Sequence, residues 1–325
     1  MTRLSVVVGT GGVGKTTAAI VLALRAATAG ETVLLLTVDP ARRLADALGL
    51  PLNVRPTRLP GPHPIDAAML DREAAWDHYV RAVLPEADAE ALAAHPWFHP
   101  LVTTLNGGHE WIAVATLARL AIHGAYDRVV LDTPPSGHVL DLLEAPKRLQ
   151  RSLDPKRLSA LLGGGGWAER AVGAVVRRLA GPALVDDLAT LLQRLRTLLE
   201  ALREDASYVE AWLRREETTA HLVIDARRSV DAASISAWQR DLSGAGLRLG
   251  ATILQRYPPD APPLEARPPT LRDHDALATW IEADDAARQA ARSQAEAAAA
   301  GLGADVLRIV DRPGGFAGLD DARRA

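Results

Sequence analysis

Cysteine is absent from this 325-residue chain, and its absence removes several kinds of chemistry at once. Without thiols the chain forms no disulfide, no cysteine-ligated zinc site, no iron–sulfur centre and no thiolate site for soft metalloids. Aromatic residues make up only 4% of the chain, and the formal net charge is −3. A mildly acidic chain has no bulk positive charge for nucleic acid, so we expect no nucleic-acid partner.

Long apolar runs are also missing. No apolar stretch approaches the roughly 18 residues that a membrane-spanning helix needs. Residues 4–8 have the pattern of a short buried strand rather than the apolar part of a signal peptide. We therefore expect a cytoplasmic protein without stable membrane insertion.

Lysine is scarce, because only Lys15, Lys147 and Lys156 carry an ammonium among 37 basic residues. Lys15 lies in a Gly-x4-Gly-Lys-Thr segment between the strand pattern at 4–8 and a helical pattern from residue 18. This context is typical of a Walker A loop, whose backbone N–H groups and helix N-terminus hold phosphate. Lys15 is expected to reach the β- and γ-phosphates, and Thr16 to ligate Mg²⁺. The predicted nucleotide-binding loop consists of Gly9, Thr10, Gly11, Gly12, Val13, Gly14, Lys15, Thr16 and Thr17.

Two carboxylates follow later apolar runs. Asp39 comes after residues 33–38, and Asp132 ends the run 129–131. In a parallel sheet such residues lie at the same edge as the Walker A loop, where ligands bind. Asp132 is therefore predicted to be the Walker B ligand of Mg²⁺. Three interpretations of Asp39 remain open: a helix cap before Pro40, an outer ligand of Mg²⁺, or the group that orients an attacking water.

The hydrophobic pattern predicts an α/β fold, a doubly wound and mostly parallel P-loop NTPase sheet with an inserted helical subdomain. Residues 1–325 are interpreted as one ATPase domain with helical insertions at about 67–122 and 150–217. The proline-rich stretch 51–66 is predicted to be an irregular connection, and further strands are expected near 221–225, 249–254 and 306–310. The apolar positions of 150–217 fit either a helical core or a groove for a hydrophobic partner helix.

Three motifs in order resemble the ArsA-type ATPases, a family of dimeric P-loop ATPases with a deviant Walker A loop. The family includes the arsenite-pump ATPases and the targeting factors for tail-anchored membrane proteins. The resemblance implies Mg²⁺-dependent ATP hydrolysis by a homodimer, or by a heterodimer with a related ATPase, acting on a hydrophobic protein client. The motifs are GTGGVGKTT at 9–17, TVDPARRLAD at 37–46 and DTPPSGHVL at 132–140.

The resemblance also assigns roles to single residues. It implies that Asp39 is the switch I aspartate that activates water and that residues 132–138 are switch II. Gln255 and Arg256 stand where the family usually offers Asn to the adenine, which implies an adenine contact there. His138 is interpreted as a histidine that caps the next helix rather than as a catalytic group.

Two features depart from the family pattern. The family's second loop lysine is replaced by Thr10, which cannot supply the positive charge that stabilises the transition state. Arg42 and Arg43 are candidates for that charge, and both equally fit solvent-facing helix arginines. The missing cysteines exclude the zinc clamp of the targeting factors and disfavour arsenite transport, so no zinc is expected.

The sequence therefore favours an ATP-hydrolysing dimeric switch that opens and closes a helical surface for a client or partner. A nucleotide-binding regulatory subunit, with weak or no hydrolysis alone and paired with a related ATPase, is the alternative that Thr10 supports. A positioning ATPase of the ParA/MinD type is less favoured because the chain has no basic stripe and no terminal amphipathic helix.

Overall fold

A computed structural model gives the fold of most of the chain. It describes residues 2–39, 41–96, 98, 102, 108–124, 126–134, 136–152, 182–226, 232–257, 289–290, 292–297, 299 and 305–310. The predicted helical stretch at 153–181, with Lys156, and the loop at 258–269 lie outside these residues.

Strands and helices alternate through most of the described chain. The elements are β1 Arg3–Val8, α1 Lys15–Thr28, β2 Val33–Thr37, α2 Arg43–Leu48, β3 Thr57–Arg58, β4 Ile65–Met69, α3 Arg72–Val83, α4 Glu86–Ala93, α5 Gly108–His123, β5 Arg128–Asp132, α6 Ser136–Ser152, α7 Pro182–Leu213, β6 Thr218–Asp225, α8 Ala232–Ala245, β7 Arg248–Tyr257 and β8 Asp305–Val310.

The eight strands form one sheet in the order β3-β4-β2-β5-β1-β6-β7-β8. The neighbours pair in parallel except β3 with β4. Every residue of β2 is buried, as expected for a parallel strand that is covered on both faces. The predicted α/β fold class, a doubly wound and mostly parallel sheet, is confirmed.

The chain divides into two compact units. The first consists of Met1–Met69, Tyr126–Leu140 and Glu216–Ala325 and contains the whole sheet. The second consists of Leu70–Ala125 and Asp141–Arg215 and is built from helices. Its core contains the fully buried Trp76, whose ring meets those of Tyr79 and Phe98 edge-on, with centroids 6.4 and 6.5 Å apart.

Three local expectations were wrong. Residues 65–69 form β4 rather than the end of an irregular connection and the start of a helix. Two alanines and Asp66 give this segment weak strand propensity, and pairing with β2 outweighs it. Helix α2 begins at Arg43 instead of directly after Asp39, and α6 begins at Ser136, so His138 lies inside that helix rather than at its cap.

Candidate functional site

The predicted phosphate loop joins β1 to α1 and depends on glycines at its two ends. A Cβ atom on Gly9 would lie 2.7 Å from the Val223 carbonyl oxygen, so a side chain there would collide with backbone. Gly14 is the N-cap of α1 with φ of +91°, a left-handed conformation that favours glycine. A Cβ atom on Gly14 would also lie 2.6 Å from Cγ of Gln255. The loop therefore packs closely against the ends of β6 and β7.

Lys15 is folded back onto this loop. Its Nζ donates hydrogen bonds to the carbonyl oxygens of Gly9 and Thr10, each at 3.1 Å, and the residue is only 7% exposed. Burial lowers the pKa of Lys15 from its ordinary value, and the negative charges of Asp132 and Asp39 act in the opposite direction. The ammonium is thus held inside the loop, where a bound phosphate would meet it.

Asp132, at the end of β5, connects this strand to the loop. Its Oδ2 accepts hydrogen bonds from the Thr16 hydroxyl at 2.9 Å and from the Thr37 hydroxyl at 3.3 Å. Desolvation raises the pKa of Asp132 to about 6, although the hydrogen bond from Thr16 and the charge of Lys15 favour the ionised form. Its Oδ1 is buried and has no hydrogen-bond partner among the described residues. Within the described chain, Oδ2 of Asp132 therefore accepts two hydrogen bonds, and Oδ1 remains available to a ligand.

Asp39 lies beside the same edge of the sheet and is 7% exposed. Its Oδ1 accepts a hydrogen bond from the Ala41 N–H at 3.0 Å, and its Oδ2 is paired with Arg43 Nη1 at 3.0 Å. Arg42 is the N-cap residue of α2, and its side chain makes no capping hydrogen bond. Asp39 therefore closes a turn before the helix, and its interpretation as a helix cap is wrong.

The two switch I arginines differ in their surroundings. Arg43 is held by Asp39, whereas the exposed guanidinium of Arg42 makes no hydrogen bond or ion pair within the described chain. Thr10, at the position of the second lysine, is also exposed. Within the described residues, an exposed guanidinium without an ion pair and an exposed hydroxyl thus lie on the two segments that border Lys15.

The ends of β6 and β7 form the other side of the loop. Asp225, 2% exposed, is paired with Arg256 Nη1 at 2.7 Å, and the same nitrogen donates to the Gly12 carbonyl oxygen at 3.2 Å. Gln255 is buried against Gly14, and its Oε1 has no hydrogen-bond partner in the described part of the chain. The structure thus brings Gln255 and Arg256 to the phosphate loop.

A model of the anion-transporting ATPase family, the ArsA type, matches residues 2–228. The chain belongs to this family. The matched range includes the phosphate loop, Asp39, Asp132 and the helical unit, and it ends just after Asp225.

Several proteins that are similar to this chain are named as ATPases. ATPase GET3 of Mycosarcoma maydis is 30% identical over 170 residues, 49% of this chain and 50% of the relative. An ATPase ASNA1 homolog of Cryptosporidium parvum is 35% identical over 145 residues, 45% of this chain and 38% of the relative. ATPase get3 of Aspergillus terreus is 28% identical over 222 residues, 66% of this chain and 62% of the relative. The aligned part thus covers about half or less of the first two relatives.

The ArsA family implies a divalent cation beside the nucleotide, and the residues present fit Mg²⁺. The Thr16 hydroxyl and the Asp132 carboxylate are adjacent oxygen donors, and the unpartnered Oδ1 of Asp132 is a buried acceptor of the kind that a hard cation takes. Among the described residues no group of three or more His, Asp or Glu side chains forms a separate metal cluster. An ATPase site does not need one, because phosphates and water supply the remaining ligands.

Two contacts at the candidate site were not predicted from the sequence: Asp225 with Arg256, and Arg256 with Gly12. Asp225 ends the apolar run 222–224 just as Asp132 ends its own run, so the same strand-end pattern was available as a signal. The contact of Arg256 with Gly12 joins residues 244 positions apart and leaves no local signal.

Two further expectations concern His138 and membrane insertion. His138 lies in α6, but its side chain is outside the described residues. No helix in the described ranges is long and apolar enough to span a membrane.

Proposed function

We propose that this protein is an ATP-hydrolysing dimeric switch of the ArsA type, which uses Mg-ATP binding and hydrolysis to open and close a helical surface for a client or partner. The observation that carries the proposal is the 2.9 Å hydrogen bond between Thr16 and Asp132, with the Lys15 ammonium buried beside it. This arrangement unites the Walker A and Walker B groups at one strand edge, as phosphoryl transfer from ATP requires.

Each residue has a role in this proposal. Lys15 exchanges its two carbonyl partners for phosphate oxygens, and the loop amides from Gly9 to Thr17 hold the remaining phosphate charge. Asp39 orients the attacking water through one carboxylate oxygen. Thr16 and Asp132 would hold Mg²⁺, which would neutralise charge on the phosphates. Gln255 is assigned to the base, because its Oε1 has no hydrogen-bond partner among the described residues and suits an amino group such as that of adenine.

The positive charge that Thr10 does not supply is assigned to switch I. Arg42 is the better placed of the two arginines, because its guanidinium is exposed and has no partner among the described residues, while Arg43 is paired with Asp39. An exposed cation next to the site can cross to a second nucleotide-binding subunit and stabilise the transition state there. Dimer formation is therefore part of the proposal, either with a second copy or with a related ATPase.

The proposal extends to the domain organisation, the client, the cellular compartment and the cofactors. We treat residues 1–325 as one ATPase domain with helical insertions at about 67–122 and 150–217, and a hydrophobic protein segment as the client of the second. We place the protein in the cytoplasm, with ATP and Mg²⁺ but no zinc as cofactors. The supporting observation is the complete absence of cysteine, which removes thiolate zinc ligation.

Thr10 favours a second candidate function for this protein. A nucleotide-binding regulatory subunit would keep the loop and lose the charge needed for hydrolysis, and Thr10 is that kind of change. Such a subunit would bind ATP alone and hydrolyse it only when paired with a related ATPase.

Steady-state ATP turnover of the purified chain tests the proposal, with Lys15→Ala as the variant. We expect Mg²⁺-dependent hydrolysis that falls about 10³-fold on loss of the ammonium, and light scattering that shows a dimer with ATP. Tight ATP binding without hydrolysis would favour the regulatory subunit. Turnover that is unchanged by Lys15→Ala would exclude the site as assigned. An Asp39→Asn variant, which retains ATP, is the bait for client capture.

A further inference from the structure

Arg256 has an unusual backbone. It is the one non-glycine residue of the described chain with a left-handed conformation, at φ of +55°. The pairing of β7 with β8 also skips this residue, since Gln255 pairs with Ile309 and Tyr257 with Val310. Arg256 is therefore a one-residue β-bulge. Bulges redirect a side chain, and strained residues persist where the surrounding structure holds them in place, often at functional sites.

The bulge directs the guanidinium away from the sheet ladder and onto the phosphate loop. Nη1 of Arg256 donates to Asp225 Oδ2 at 2.7 Å and to the Gly12 carbonyl oxygen at 3.2 Å. Asp225 is almost fully buried, whereas the Arg256 side chain is 33% exposed. One nitrogen thus joins the ends of two strands to the middle of the loop. Because Asp225 offsets the charge of Arg256, the pair supplies position rather than net charge.

The consequence for the loop follows from the geometry of the peptide bond. In a trans peptide the C=O and the following N–H point in opposite directions. With the Gly12 carbonyl held toward Arg256, the Val13 N–H lies in the same peptide plane and points away from Arg256. Without that contact, the glycine-rich loop is free to rotate this peptide, since Gly12 itself has φ of +78° and no side chain to restrain it.

We propose that Arg256 is a positioning residue for phosphate binding: it sets the Gly12–Val13 peptide so that the Val13 N–H is oriented toward the nucleotide phosphates before they bind. Asp225 fixes the guanidinium for this task. This inference rests on the proposed nucleotide-binding function and reassigns Arg256, which the sequence placed at the adenine. Gln255 remains the group that faces the base.

Binding of Mg-ATP and of inorganic tripolyphosphate, each measured by competition with a fluorescent ATP analogue, tests the inference. Arg256→Met removes both hydrogen bonds and is expected to raise both dissociation constants by about tenfold or more. Arg256→Lys carries a donor for both acceptors and is expected to bind within about threefold of the wild type. Urea unfolding of each variant, measured in parallel, separates a loss of positioning from a loss of stability.

Arg256→Met removes the ion pair of the buried Asp225 carboxylate, so a second variant protects the test. Asp225→Asn combined with Arg256→Met removes both charges, and we expect it to keep the wild-type unfolding midpoint while binding both ligands as weakly as Arg256→Met. That combination of results is one that a purely structural ion pair would not produce.

Three results would overturn the inference. They are wild-type binding by Arg256→Met, a loss confined to Mg-ATP with tripolyphosphate unaffected, and a failure of Arg256→Lys to restore binding. The second result would identify a base contact instead. Failure of the proposed function is distinguishable, because the wild type would then bind no Mg-ATP or would bind it independently of Lys15.

Discussion

Arg43, the first residue of α2, reaches back four residues to Asp39, with its Nη1 3.0 Å from Oδ2 of the carboxylate. This contact ties one of the two adjacent switch I arginines to the carboxylate that is proposed to orient water. Its neighbour Arg42 remains exposed and unengaged within the described residues. Two residues that are identical in type therefore have different electrostatic roles.

We predict that Arg42→Ala slows ATP hydrolysis by about 10²- to 10³-fold while the dissociation constant for ATP changes by less than about threefold, because the guanidinium acts on the transition state. Arg43→Ala is the matched control, since it removes the same charge one residue later. Its effect on turnover should stay below about tenfold, because its exposed ion pair is weak. Single-turnover hydrolysis and equilibrium ATP binding measure the two quantities. Equal slowing by both variants would contradict this division of roles.

Gly14 is predicted to resist substitution for two separate reasons. In Gly14→Ala the new Cβ would lie 2.6 Å from Cγ of Gln255, and the left-handed φ of +91° would be strained. We expect the free energy of unfolding to fall by about 1 to 3 kcal/mol and ATP binding to be lost. Urea denaturation and ATP titration provide the measurements.

Gly11→Ala is the control for this prediction, because nothing lies within 4 Å of its Cβ position. Its unfolding free energy should stay within about 0.5 kcal/mol of the wild type. Adding Gln255→Ala to Gly14→Ala should restore only part of the stability, since the backbone strain remains. Full restoration would show that the strain is unimportant.

A buried polar network stabilises the helical unit. Asp205, 3% exposed, accepts hydrogen bonds from the Tyr79 hydroxyl at 2.6 Å and from Arg119 Nε at 2.9 Å. The guanidinium of Arg119 also lies 5.7 Å from the centroid of the Tyr79 ring. Burial, followed by the charge of Asp205, raises the pKa of Tyr79 well above its usual range, so the hydroxyl remains a donor.

We predict that Asp205→Ala lowers the free energy of unfolding by about 3 kcal/mol, because it leaves the buried Tyr79 hydroxyl and the partly exposed Arg119 guanidinium without this acceptor. Tyr79→Phe removes one donor and keeps the ion pair, so its cost should be only about 1 kcal/mol. Chemical denaturation followed by circular dichroism measures both. A larger loss for Tyr79→Phe than for Asp205→Ala would contradict the assignment of Asp205 as the centre of the network.

His221 is predicted to make stability depend on pH. Its Nδ1 is buried without a partner among the described residues, and its Nε2 lies 3.2 Å from the Thr219 hydroxyl. Desolvation and the positive charge of Arg128 lower the pKa of His221 to about 4. Since an unfolded histidine titrates near 6.5, the unfolded chain binds more protons between about pH 6.5 and 4, and the folded state loses up to about 3 kcal/mol over that window.

The variant His221→Gln cannot take up this proton. Urea unfolding at several pH values from 7.5 to 4.5 should therefore show a wild-type stability that falls below pH 6.5 faster than that of the variant. The difference between the two curves isolates His221 from the carboxylates that titrate in both proteins. Parallel curves would mean that the imidazole is solvated in the folded state.

The sheet strands were predictable wherever an apolar run is rich in valine, leucine and isoleucine. The runs at β1, β2, β5, β6 and β7 satisfy this condition, and each was expected close to its observed position. The β4 segment is not rich in these residues. Ala67, Ala68 and Asp66 have low strand propensity, and only pairing with β2 makes the segment extended. Composition therefore located the strands whose residues favour strand formation by themselves, and it missed the two-residue β3 as well as β4.

The sequence by itself determined the phosphate loop, the carboxylates at strand ends and the family, because these depend on short spacings that a linear pattern contains. Tertiary structure alone decided which distant groups touch, such as Tyr79 with Asp205 across 126 positions and Arg256 with Gly12 across 244. The order of parallel strands brings distant strand ends to one edge, and a single bulge then sets where Arg256 points. Those contacts depend on three-dimensional packing, so no local spacing predicts them.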